Sequence, residues 1–139
     1  MRDATTEIKA WFADKLLAEW FSEVEVQTDQ DEILVVGTLV DGVDDAEPKA
    51  RIATFREDTR EQRMKIAADA ENLFNRKVSW GAVVGEVRAL FTHLSIPVMT
   101  RLRVPERAVL DTLVAAGVAR SRSHALAWCA RLVGEHQSE

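Results

Sequence analysis

The chain has 139 residues, 47% of them apolar, and 18 Lys and Arg against 23 Asp and Glu leave a net charge of −5. That length allows one domain or two small ones, and the apolar content is enough for a core. The acidic balance excludes a general nucleic-acid binder, no apolar run reaches the length of a membrane span, and no secretory signal opens the sequence.

Residues 5–21 read as an amphipathic helix, with Ile8, Trp11, Phe12, Leu16 and Trp20 recurring at helical spacing and Lys9 and Lys15 on the wet face. Residues 23–28 alternate strictly, as a strand with one wet face does, and Asp29 to Glu32 supply a turn. Residues 33–40 are nearly all apolar, which suits a central strand, so the two strands make a hairpin. Residues 41–48 form an acidic loop. Its Asp41, Asp44, Asp45 and Glu47 invite a calcium reading, but the spacing does not match an EF-hand, and a solvated loop is preferred. Residues 50–55 read as a third, shorter strand. From Asp58 or Thr59 a helix runs to about Asn75, with Thr59 and Gln62 at capping-box spacing and Ile66, Ala70, Leu73 and Phe74 on its buried side. Residues 79–93 fit a helix through Trp80, Val83, Val84, Val87, Leu90 and Phe91, with Ser79 as cap, although the β-branched residues and Gly81 and Gly85 also allow extended structure. The order helix, three strands, helix over the first 76 residues resembles the double-stranded-RNA-binding fold. That resemblance implies a lysine cluster opening the second helix; here the run is EDTREQR, so an RNA function is not preferred.

Residues 94–97 link to a stretch of different character. Residues 98–104 alternate: Val98, Thr100, Leu102 and Val104 on one side, Met99, Arg101 and Arg103 on the other. Pro105 opens a helix, with Val109, Leu110, Leu113 and Val114 on one stripe, and Gly117 stops it. Ser121 can cap a second helix, in which Ala125, Leu126, Cys129 and Leu132 share a face. Charge divides at the same place. Residues 1–96 carry 12 Lys and Arg against 19 acids; residues 97–139 carry 6 Arg, no Lys and 4 acids. Arginine suits bidentate recognition of guanine or phosphate. The single cysteine, Cys129, excludes an intrachain disulfide and fits a reducing cytoplasm.

One short strand and two short helices cannot close a core alone, but two copies can, by pairing the strands antiparallel across a two-fold. The strand MTRLRV, the helix opening PERAVLDTLVAAG and the ARSRSHAL run together resemble the ribbon-helix-helix family of DNA-binding repressors and antitoxins, of the Arc, MetJ and CopG type. The likeness covers roughly the last 40 residues. It implies base reading in the major groove by Met99, Arg101 and Arg103, and phosphate contact by Ser121, Arg122 and Ser123 at a helix N-terminus. It also implies a dimer core of Val98, Thr100, Leu102, Val104, Leu110, Leu113 and Leu126.

The fold expected is therefore α+β: an acidic N-terminal α-β-β-β-α(α) domain over 1–96, then a ribbon-helix-helix domain over 97–139 that dimerises through an intermolecular ribbon. No catalytic motif or phosphate-cradling glycine loop appears, so neither an enzyme nor a cofactor is expected. A metal sensor built on His93, His124 and Cys129 lacks any ligand spacing, so no metal site is expected. The function expected is a homodimeric, cytoplasmic transcriptional regulator, repressor-like, that binds double-stranded DNA. Residues 1–96 would serve further oligomerisation, a protein partner or a ligand, with oligomerisation or protein contact preferred because no polar pocket is readable. The rival reading is an antitoxin-like or scaffold protein that binds no DNA.

Overall fold

The computed structural model describes residues 4–40 and 47–137. They form two compact units, one ending at Ile96 and the other beginning at Pro97. The N-terminal unit runs α1 (Ala4–Lys15), β1 (Phe21–Thr28), β2 (Glu32–Leu39), α2 (Pro48–Asp58), α3 (Arg60–Phe74), β3 (Lys77–Val84) and β4 (Val87–Leu90). The architecture is mixed α+β, with one four-stranded sheet in the order β1-β2-β3-β4.

The β1–β2 and β3–β4 pairs are antiparallel hairpins, and β2 pairs with β3 in parallel. A parallel pair needs a long crossover, which α2 and α3 supply. The first hairpin turns on Asp29, whose Oδ1 accepts the backbone N–H groups of Asp31 at 2.8 Å and Glu32 at 2.9 Å. Those two bonds hold the Asp29 carboxyl below its ordinary pKa. The second hairpin turns at Gly85, at φ +60°, where a side chain would be strained.

Register places the core on one face of the sheet. Val26 faces Val35, and Val35 faces Trp80, so Val26, Ile33, Val35, Trp80, Ala82 and Val84 share a side. Ile8 and Phe12 of α1, Ile52 of α2 and Ala70 of α3 complete that cluster. Aromatic rings tie the layers edge to face: Phe12 to Trp80 at 6.2 Å between centroids, Trp20 to Phe55 at 5.7 Å, and Trp11 to Phe74 at 5.8 Å.

Several sequence expectations are corrected here. Residues 50–55 are not a third strand; they lie inside α2, which opens with Pro48 at its first position and turns Ile52 and Phe55, one helical turn apart, toward the core. The likeness to the double-stranded-RNA-binding order falls with that strand. Residues 79–93 are not a helix: Ser79, Trp80, Val83 and Val84 belong to β3 and Val87 and Leu90 to β4, and Trp80, Ala82 and Val84 alternate into the core with period two. Helix α1 ends at Lys15, and Trp20, still buried, sits in the turn before β1. Thr59 makes no capping hydrogen bond to α3, and Leu73, expected on the buried side, is exposed. Asp41, Asp44 and Asp45 of the acidic loop lie outside the described residues.

The C-terminal unit holds α4 (Val104–Ala115) and α5 (Arg122–Glu135). Helix α4 ends in a Schellman turn at Gly117, φ +79°. Gly117 N–H donates to the Val114 carbonyl at 3.1 Å and Val118 N–H to that of Leu113 at 3.0 Å, so carbonyls orphaned by the helix end are satisfied. Ser121 caps α5, its Oγ accepting the His124 N–H at 3.1 Å.

Candidate nucleic-acid interface

Residues 97–103 belong to no helix and to no strand of the chain's own sheet, and the last of them, Arg103, has extended backbone. No backbone N–H of residues 98–103 has a partner among the described residues. Water must satisfy these groups, or a second strand must. Of residues 97–103 only Leu102 is half-buried, packed against Leu110, Ala119 and Ala125, the three buried residues among those described in this unit. Its carbonyl accepts a hydrogen bond from Arg107, which ties the segment to the first turn of α4. Leu113, Val114, Leu126 and Cys129 pack partly buried around the same cluster.

The residues expected to read bases are open to solvent. Met99 is 94% exposed, and the exposed Arg101 and Arg103 side chains make no hydrogen bond or ion pair among the described residues. Of the expected dimer core, Leu110 is buried and Leu102, Leu113 and Leu126 half-buried, but Val98 is 85% exposed and Thr100 is also exposed. Val104 is a correction. It is the first residue of α4 rather than the last of a strand, and is 66% exposed, because helical backbone begins one residue before Pro105.

The residues expected at phosphate differ among themselves. Ser121 is spent on its cap, and Ser123 is exposed in the first turn of α5. Arg122 is engaged inside the chain: Nε and Nη2 donate to the two carboxylate oxygens of Asp111 at 2.8 and 2.9 Å. That fork holds the Asp111 carboxyl below its ordinary range and pushes the Arg122 guanidinium up. Asp111 and Arg107 were not singled out in the sequence, and His124 was weighed there only as a metal ligand. His124 Nδ1 accepts the Arg120 N–H at 3.0 Å and so braces the approach to α5. Among the described residues no group of three His, Cys, Asp or Glu is placed to hold a metal ion.

A segment with unpaired backbone donors, followed by two helices of which the second is capped by Ser121, is thus what residues 97–137 offer. Residues 6–90 match the family described as "Rv1265-like protein, N-terminal domain", and residues 103–139 match the "Mb1296 C-terminal domain". The chain belongs to the Rv1265-like family. It is 53% identical over 136 residues to the uncharacterized proteins Mb1296 of Mycobacterium bovis and Rv1265 of Mycobacterium tuberculosis, covering 93% of this chain. The chain spans 60% of the length of those relatives. No solved structure matches it. Neither Rv1265-like domain description names a nucleic acid or a reaction, so function rests on the residues themselves.

Proposed function

We propose that this Rv1265-like chain is a homodimeric, sequence-specific DNA-binding regulator, repressor-like, acting in the cytoplasm. Two copies pair residues 98–103 antiparallel, and the four helices close around the inward side of that ribbon, the arrangement of a ribbon-helix-helix protein. Val98, Thr100 and Leu102 turn into the shared core, while Met99, Arg101 and Arg103 of each copy enter the major groove.

One observation carries the reading: a six-residue segment outside any helix or strand, whose N–H groups have no partner among the described residues, set beside a core of three buried residues. A unit with so little buried surface gains most from a second copy. Arg101 and Arg103 are exposed and have no hydrogen-bond or ion-pair partner among the described residues, so they are free to offer forked donors to guanine. The α5 N-terminus would set register on a phosphate through backbone N–H groups, as its dipole favours.

The test is Arg103→Ala in the full chain. The expected loss at a site selected from a random duplex pool is about 1–3 kcal/mol, with little loss on unrelated duplex. Unchanged affinity in a gel shift would refute the assignment. A protein-interaction role without DNA would select no site from the pool at any salt concentration.

A further inference from the structure

A separate cluster of arginines lies in the N-terminal unit, where α2 meets α3. Thr59, at the break between the helices, is buried. Its hydroxyl donates to the Phe55 carbonyl at 2.6 Å and accepts from Arg63 Nε at 2.9 Å. Arg63 Nη2 donates to the Arg56 carbonyl at 2.6 Å. The Arg63 residue is only 6% exposed, with its guanidinium 4.8 Å from the Phe91 ring centroid and 5.9 Å from that of Trp80. Arg56 lies 5.3 Å from the same Phe91 ring and donates to the Phe91 carbonyl at 3.2 Å. Arg60 lines the same cleft, whose volume is about 300 Å³.

Three arginines therefore line one cleft without an ion pair among the described residues. Every acceptor they meet is neutral, and no ion pair joins Arg56, Arg60 or Arg63 to a carboxylate among the described residues. Burial first, and then the repulsion of Arg56 and Arg60, lowers the Arg63 pKa. A desolvated cation is costly unless it is paired. Stacking on Phe91 and Trp80 offsets part of that cost and keeps the guanidinium in place. What stacking does not supply is a negative charge.

We propose that this cleft binds a small oxyanion, a phosphate monoester or a di- or tricarboxylate, held by Arg63 at its floor and by the forks of Arg56 and Arg60 at its rim. A guanidinium fork matches either oxyanion with two parallel hydrogen bonds. The volume is at the lower end for small-ligand cavities, roughly 300–1,000 Å³. A nucleic-acid backbone does not fit the geometry, because Arg63 is too deeply covered for a duplex to reach. Glu57 also lines the cleft, so the anion sits on the arginine side.

The experiment is calorimetric titration of the full chain with inorganic phosphate and, separately, with citrate, against potassium chloride at matched ionic strength. Saturable binding of at least one anion, one per chain, is expected; which one binds tells phosphate esters from polycarboxylates. Arg60→Gln, an exposed change that leaves the melting temperature in place, should weaken it by about tenfold or more, the loss of one charge-assisted bond. The Arg101→Ala, Arg103→Ala double variant should bind as wild type does, which separates this cleft from the DNA reading. The proposal is overturned by no saturable heat with either anion, by affinity indifferent to Arg60→Gln, or by loss of binding in the double variant.

Discussion

Arg122 has two claimants. Its own chain offers the Asp111 carboxylate in a bidentate fork, and the proposed DNA complex offers a phosphate at the start of α5. The planar carboxylate and the tetrahedral phosphate each present a pair of oxygens that a guanidinium fork can meet with two parallel hydrogen bonds. A phosphate approaching α5 must draw Arg122 from Asp111 or take only backbone N–H groups, and the Asp111 charge opposes it either way. The same pair makes a prediction that needs no DNA. Hydrogen bonding from Arg122, reinforced by its charge, holds the Asp111 pKa below its ordinary value. The stabilisation is therefore fully present above the unfolded pKa of about 3.9 and is lost as pH falls through the folded value. Urea midpoints of wild type should drop more steeply below about pH 4 than those of Asp111→Asn, a small difference because both side chains are exposed. Superimposable acid limbs would mean that the fork does not persist in solution.

At the level of elements, Gly37 shows how tightly the first hairpin is fitted. A Cβ there would stand 2.2 Å from Cδ1 of Phe21, a buried ring on the neighbouring strand. The ring cannot swing aside, since it also packs against Trp20 and Phe55. Gly37→Ala should cost about 1–3 kcal/mol by overpacking, read from urea denaturation; a neutral result would show that Phe21 is loosely held. Sequence patterns found this hairpin because strict alternation over 23–28 and the Asp29 turn are local signals. They missed β3 and β4 because Trp80, Val83, Val84 and Val87 satisfy a helical spacing as well as an alternating one. Gly85, counted there as allowing extended structure, is the turn that decides between them. They misread α2 because six residues of mixed polarity cannot separate the two periods, although Pro48 just upstream marks a helix start. The exposure of Arg101 and Arg103 on either side of half-buried Leu102 was legible from alternation alone. The Arg122–Asp111 fork was not, because it joins two helices, with eleven positions between partners and no local spacing to betray it.

For the whole molecule the decisive question is whether two chains share residues 98–103. Successive N–H groups of a strand point to opposite sides, so in a two-stranded ribbon either Thr100 or Arg101 donates across the two-fold. Proline lacks that donor and is not tolerated inside a paired strand. Neither position has a backbone partner among the described residues of its own chain, so Thr100→Pro and Arg101→Pro should leave each monomer folded. By symmetry the sensitive substitution removes two ladder bonds of about 1 kcal/mol each, which weakens the dimer roughly 30-fold. Sedimentation equilibrium on both variants measures it. Dimer affinity lost in one variant and kept in the other would give the ribbon's register as well as its existence. If neither substitution moves the monomer–dimer equilibrium, residues 98–103 are not the shared ribbon. Met99, Arg101 and Arg103 would then have no rigid frame from which to read a groove.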